Sequence, residues 1–113
     1  MLEVDELAAR LRDGTGLVLD VRTPEELAGE QGHIPGVHNI PLDQLPARLP
    51  ELGDDPERPI AIVCRTDRRS ARAAALLARH GFRDARVVRG GMTAWLDSGR
   101  PVAGAAAAAP ASP

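Results

Sequence analysis

Short apolar runs alternate with helical patterns along this chain, and this alternation restricts the possible folds more than any other feature. Leu17–Leu19, Ile60–Val63 and Ala85–Val88 are each long enough for one short buried strand. Between these runs, apolar residues recur at helical spacing. Strands that alternate with helices are typical of a largely parallel sheet. The sequence therefore predicts an α/β domain.

Two of the predicted helices have clear start or end signals. A short one is predicted to begin at Thr23–Pro24, because proline suits the first turn of a helix. A longer one is predicted from Arg69 to His80, with Gly81 as its end. In the longer helix, alanines recur at helical spacing and are predicted to pack against the sheet; they are Ala71, Ala74, Ala75 and Ala78.

The length and composition predict one domain over residues 1–102 and a disordered Ala/Pro-rich tail over residues 103–113. The net charge of −2 and the lack of a basic stripe outside one loop argue against nucleic-acid binding. A single cysteine excludes an internal disulfide and a cysteine-based zinc site. No apolar stretch is long enough to span a membrane, and the acidic N-terminus does not resemble a signal peptide. We therefore expect a cytoplasmic protein.

The single cysteine, Cys64, lies where the apolar run Ile60–Val63 meets an arginine-rich loop. Residues 64–72 contain four arginines and one aspartate, a local charge of 4 − 1 = +3. Nearby cations and the start of a helix both favour the thiolate form of a cysteine. Ligands of parallel α/β sheets bind beyond the carboxyl ends of the strands. The sequence thus predicts a reactive sulfur at an anion-binding site.

Four motifs in register resemble the rhodanese family of sulfurtransferases, over roughly residues 4–102. The motifs are Asp20–Arg22, Gly32–Gly36, Cys64–Ser70 and Gly90–Met92, the last followed by Trp95 and by Gly99–Val102. The resemblance implies a rhodanese-like fold with a largely parallel five-stranded sheet and helices on both faces. It also implies no cofactor.

By position, the resemblance makes Cys64 the catalytic nucleophile that carries a sulfane sulfur as a persulfide. The substrate-binding loop would be Arg65, Thr66, Asp67, Arg68 and Arg69, with Arg65 and Arg69 best suited to hold an oxyanion. Four polar residues are interpreted as a structural network: Asp20, Arg22, Glu26 and His33. The expected partners are a small anionic sulfur donor such as thiosulfate and a thiol or cyanide acceptor, which could also be a protein.

Asp67 departs from the family pattern, which often has glycine there. We expect Asp67 to tolerate a positive φ less freely than glycine and to offset part of the arginine charge.

Two other functions stay open at this point. A cysteine phosphatase or arsenate reductase places an arginine six positions after its cysteine, where this chain has Ser70. A regulatory or sulfur-relay module would bind a partner and turn over thiosulfate slowly.

Overall fold

The computed structural model describes residues 1–104, in which a parallel sheet carries helices on both faces. The strands are β1 (Leu17–Asp20), β2 (His38–Asn39), β3 (Ile60–Val63) and β4 (Ala85–Val87), in the spatial order β2-β1-β3-β4. The helices are α1 (Val4–Asp13), α2 (Pro24–Leu27), α3 (Leu45–Arg48), α4 (Arg68–Arg79) and α5 (Gly91–Asp97). Two 3-10 turns, Leu42–Gln44 and Leu49–Leu52, flank α3. The predicted α/β fold class is confirmed.

Within residues 1–104 the sheet has four strands rather than the expected five. Where a fifth strand would lie, Leu2 forms a single parallel bridge with Val88. The Leu2 amide donates to the carbonyl of Val87 at 2.8 Å, and the Arg89 amide donates to the carbonyl of Leu2 at 2.8 Å. Pairing stops after one residue because α1 begins at Val4.

Strand β3 is buried along its whole length and contributes to both hydrophobic clusters. Successive side chains of a strand point to opposite faces of the sheet. Ile60 and Ile62 therefore join the cluster that contains Leu77 of α4, whereas Ala61 and Val63 join the cluster that contains Met92 of α5. This burial on both faces holds the end of β3, and hence the loop after it, in a fixed position.

The buried face of α4 differs from the predicted alanine face. Ser70, Ala73 and Leu77 are fully buried, whereas Ala71, Ala75 and Ala78 are exposed and Ala74 is half-buried. Alanines occur all around this helix, so their spacing alone does not identify the buried side. The large side chain of Leu77 orients the helix, and Ser70 then faces the sheet.

The chain is still packed against the domain beyond the predicted boundary at residue 102. Trp95 donates its indole N–H to the carbonyl of Pro101 at 2.9 Å. Ala103, assigned to the tail from the sequence, pairs with His33 through two backbone hydrogen bonds of 2.8 and 2.9 Å. The rest of the predicted tail, from residue 105 onward, lies outside the described residues. Within the described part, no helix is long and apolar enough to cross a membrane.

Candidate active site

The loop after β3 lies at the carboxyl edge of the sheet. Asp20, the last residue of β1, is in register with Val63, the last residue of β3. Cys64 comes directly after Val63, and the first turn of α4 begins at Arg68. The predicted location of Cys64 beyond a strand end is therefore observed.

Cys64 is buried, with 1% of its surface exposed. The Ser70 amide donates to the Cys64 Sγ at 3.4 Å, and the Ser70 Oγ lies 3.2 Å from the same sulfur. Ser70 is in the first turn of the twelve-residue helix α4, where backbone N–H groups lack intrahelical partners. This end of a helix favours negative charge, and the Cys64 sulfur lies directly beside it.

The Ser70 side chain is a part of the site that the sequence did not identify as functional. Its hydroxyl can donate to the Asp67 carbonyl at 3.1 Å or to the Cys64 sulfur. A hydroxyl has one proton, so it makes only one of these two donations at a time. When Cys64 is a thiol, the S–H can donate to Ser70; when Cys64 is a thiolate, Ser70 can donate to the sulfur.

Helix α5 holds the other side of the loop. The Met92 amide donates to the Cys64 carbonyl at 2.9 Å, and the Thr93 amide donates to the Arg65 carbonyl at 3.2 Å. In a trans peptide, the N–H points opposite to the carbonyl of the preceding residue. The N–H groups of Arg65 and Thr66 therefore point away from α5 and remain available to a ligand within the loop.

Gly91 permits this close approach between α5 and the loop, and its substitution gives a test. Gly91 has φ +52°, and a Cβ there would overlap the carbonyl oxygens of Cys64 and Thr66. Gly14 also has a positive φ (+68°), but a Cβ there would meet nothing within 4 Å. We expect Gly14→Ala to lower the free energy of unfolding by about 1–2 kcal/mol. We expect Gly91→Ala to lower the free energy of unfolding by about 1–3 kcal/mol more than Gly14→Ala does, because the loop must move to make room for the Cβ.

Urea unfolding of both alanine variants measures this difference. Equal costs at the two positions would show that the contact between Gly91 and the loop is unimportant.

The structure corrects the expectation for Asp67. Its φ is −129°, so the backbone needs no left-handed conformation there. The Asp67 carboxylate accepts a hydrogen bond of 2.7 Å from the Gly90 amide. Asp67 therefore connects the loop after β3 to the turn after β4, a long-range contact that sequence reasoning missed.

The predicted structural network separates into three parts. The first is a buried ion pair in which Arg22 Nη2 lies 2.8 Å from Asp20 Oδ2, with the side chains 1% and 0% exposed. Arg22 also donates to the Gly32 carbonyl at 2.8 Å. In the second part, the His33 Nδ1 lies 3.2 Å from the Leu27 carbonyl oxygen. The contacts made by Arg22 and by His33 both stabilise the segment between α2 and β2.

The third part joins α2 to α4 and includes a residue predicted to bind substrate. Arg69 donates to the two carboxylate oxygens of Glu26 at 2.5 and 2.8 Å. The Arg69 hydrogen bonds lower the pKa of Glu26 to about 2, against a partial opposing effect of burial. The pair is thus charged at neutral pH, and the Arg69 guanidinium is bound by a protein carboxylate.

The remaining loop residues predicted to bind substrate are accessible. Arg65, Thr66 and Arg68 are exposed, and among residues 1–104 neither arginine forms an ion pair. Arg65 lines a polar cleft of about 200 Å³ together with Arg22, Glu26 and Glu30. A larger apolar cleft of about 340 Å³ includes His80 and Phe82 and lies at the opposite end of α4. No cluster of His, Cys, Asp or Glu that could hold a metal occurs within residues 1–104.

Comparison with known proteins agrees with this geometry. The family model for the rhodanese-like domain matches residues 3–98. The chain belongs to the rhodanese-like domain family. Its sequence is 36% identical over 102 residues to a sulfurtransferase of Allochromatium vinosum, covering 89% of this chain and 92% of that protein.

Two further relatives support the assignment. The thiosulfate sulfurtransferase GlpE of Pseudomonas syringae is 33% identical over 90 residues, covering 80% of this chain and 81% of that protein. The crystal structure of a rhodanese-related protein from Thermoplasma volcanium superposes with a TM-score of 0.79 at 30% identity, covering 91% of this chain and 96% of that one. Two other curated relatives are longer, and the chain spans 59% and 40% of their lengths.

Proposed function

We propose that this rhodanese-like domain is a sulfurtransferase that carries sulfane sulfur as a persulfide on Cys64. The observation that supports it most is the contact of the Cys64 sulfur with the Ser70 amide and hydroxyl at the start of α4. Helix N-termini and rings of backbone N–H groups bind anions. A persulfide sulfur is such an anion, and it would extend from Cys64 into the loop.

The reaction divides into two nucleophilic displacements. The Cys64 thiolate attacks the outer sulfur of a donor such as thiosulfate, the S–S bond of the donor breaks, and sulfite leaves with the bonding electrons. The acceptor, a thiolate or cyanide, then attacks the outer sulfur of the Cys64 persulfide. The S–S bond of the persulfide breaks, and the Cys64 thiolate is regenerated. No oxidant or reductant is needed in either step.

The loop residues have distinct roles in this proposal. The N–H groups of Arg65 and Thr66, which face away from α5, would hold the outer sulfur. The exposed guanidinium of Arg65 would attract the donor, because guanidinium groups match oxyanions well. Arg68 would contribute charge from the rim of the loop.

A phosphatase reaction is the weaker alternative. Ser70 occupies the position six residues after Cys64, where cysteine phosphatases have an arginine, and its hydroxyl lies 3.2 Å from the Cys64 sulfur. Arg69, the nearest arginine in the first turn of α4, is bound to Glu26. Neither residue therefore offers a free guanidinium to a phosphate group in that geometry.

A protein thiol is a second candidate for the acceptor. Cys64 is almost fully buried, and three exposed arginines surround its loop without an ion pair among the described residues: Arg65, Arg68 and Arg72. A partner with acidic residues around its thiol would complement that charge. The role would then be a sulfur relay rather than thiosulfate detoxification.

The two enzymatic alternatives are separated by assays on one sample. We expect thiocyanate to form from thiosulfate and cyanide, and no phosphate to be released from an aryl phosphate. Phosphate release without thiocyanate formation would contradict the proposed function.

A further inference from the structure

The Glu26–Arg69 ion pair crosses the surface beside the Cys64 loop. Glu26 belongs to α2 and Arg69 to the first turn of α4, 43 residues later in the chain. Each side chain is about one-third exposed, 31% for Glu26 and 32% for Arg69. Arg69 directly precedes Ser70, whose hydroxyl contacts the Cys64 sulfur. An incoming sulfur donor would therefore approach next to this pair.

The two members of the pair line two different clefts. Glu26 lines the polar cleft of about 200 Å³ that contains Arg22 and Arg65. Arg69 lines a neighbouring cleft of about 300 Å³ that contains Arg72. A ligand in either cleft would therefore be close to one member of the pair.

Arg69 directly precedes Ser70, whose hydroxyl lies 3.2 Å from the Cys64 sulfur, so the charge of Arg69 lies near the reacting atom. The pKa of Arg69 is raised first by its hydrogen bonds to Glu26 and, to a smaller extent, by the charges of Cys64 and Asp20. Without Glu26, the Arg69 guanidinium would be a cation beside the reacting sulfur. In the presence of Glu26, both terminal nitrogens of Arg69 donate to the Glu26 carboxylate.

This arrangement affects sulfur donors of different charge to different extents. A dianion gains from each free cation near the loop and is repelled by the ionised Glu26. When Glu26 neutralises the charge of Arg69, a donor with one negative charge loses less electrostatic attraction than a dianion does. The ion pair thus lowers the advantage that the arginine-rich loop would otherwise give to a dianion.

We propose that Glu26 is a specificity-determining residue, acting through Arg69, that selects sulfane-sulfur donors of low charge over the thiosulfate dianion. The donor class that fits best is a monoanionic or neutral sulfane sulfur, such as an organic thiosulfonate or a hydropersulfide. The inference rests on the proposed sulfurtransferase function of Cys64.

Two donors of nearly equal shape allow a direct test. In methanethiosulfonate, a methyl group replaces one oxyanion of thiosulfate, so the donor has one negative charge instead of two. With both donors, the Cys64 thiolate attacks the outer sulfur and the same S–S bond breaks. Sulfite leaves from thiosulfate, and methanesulfinate leaves from methanethiosulfonate.

Glu26→Gln is the informative variant, because glutamine can keep the cap of α2. The Glu26 Oε1 accepts a hydrogen bond of 3.1 Å from the Thr23 amide, and glutamine serves equally in this capping box. The matched control is Glu25→Gln, which removes the same charge from an exposed position on the same helix. Both positions lie outside the buried core, so we expect both variants to fold.

The readout is the kcat/KM for thiosulfate divided by the kcat/KM for methanethiosulfonate. We expect Glu26→Gln to raise this ratio about tenfold, equivalent to roughly 1.4 kcal/mol. We expect Glu25→Gln to change it by less than about twofold, as for an exposed charge. A merely structural role of Glu26 would lower the use of both donors together and leave the ratio unchanged.

A second comparison tests whether Glu26 acts through Arg69. In an Arg69→Gln background, Glu26→Gln removes only the direct repulsion by the carboxylate and releases no guanidinium, so it should raise the ratio clearly less. An undiminished increase in that background would overturn the proposed route through Arg69.

Failure of the inference and failure of the proposed function give different results. If wild-type protein accepts sulfur from both donors and Glu26→Gln matches Glu25→Gln, the specificity role is overturned while the function stands. If neither donor transfers sulfur to Cys64 in the wild-type protein, the proposed function and the inference both fail.

Discussion

Replacement of Cys64 by serine is expected to reduce sulfur transfer by more than about a thousandfold, because a serine hydroxyl cannot form a persulfide. The substitution changes one atom at a site that is 1% exposed, so the fold should be retained. Thiocyanate formation from a sulfane donor and cyanide measures the effect.

The control for this prediction is Ala75→Ser, which introduces the same side chain on the exposed face of α4. Its activity should match that of the wild-type protein. Residual turnover of Cys64→Ser within tenfold or so of wild type would show that sulfur passes by a route that does not use Cys64.

Loss of the buried Arg22 guanidinium is expected to give the largest change in stability. Arg22→Ala leaves the Asp20 carboxylate buried without its cation and removes the donor to the Gly32 carbonyl. Breaking one partner of a buried ion pair costs about 3–5 kcal/mol. A small domain has only about 5–15 kcal/mol of stability in total. Urea unfolding should therefore show a much lower midpoint.

Two comparisons make that result specific. Arg83→Ala breaks an exposed pair with Glu57, whose side chains are 72% and 62% exposed, and it should cost less than about 1 kcal/mol. The double variant Asp20→Leu with Arg22→Met should be more stable than Arg22→Ala alone, since no unpaired charge remains buried. Equal stability of Arg22→Ala and Arg83→Ala would contradict the structural role of the Asp20–Arg22 pair.

Much of the fold could be predicted because its signals are local. The apolar run Ile60–Val63 is buried on both faces of the sheet, as its composition indicated. Cys64 lies at the edge of the sheet because it follows β3 directly and because α4 begins four residues later, at Arg68. Such features depend on residues that are close together in sequence.

The contacts that define the site could not be predicted in the same way. The Glu26–Arg69 pair joins residues 43 positions apart, and the Asp67–Gly90 hydrogen bond joins residues 23 positions apart. Both depend on how α2 and α5 pack beside the loop, which no local pattern specifies. The predicted buried face of α4 is wrong for a related reason, because alanines on several sides of the helix leave its rotation undetermined.

That rotation matters for the chemistry. Because α4 buries Ser70 rather than Ala71, a hydroxyl group lies 3.2 Å from the Cys64 sulfur. If the predicted alanine face of α4 had been buried instead, a methyl group would lie next to the sulfur. Ser70 could have been suspected from the sequence, since it is the third residue of α4 and its amide lacks an intrahelical acceptor.

The most direct test of the persulfide mechanism is the intact mass of the protein after incubation with thiosulfate or methanethiosulfonate. We expect a gain of one sulfur atom, located on the peptide that contains Cys64 and removed by cyanide. An unchanged mass with both donors, in a folded protein whose Cys64 is reduced, would contradict the mechanism.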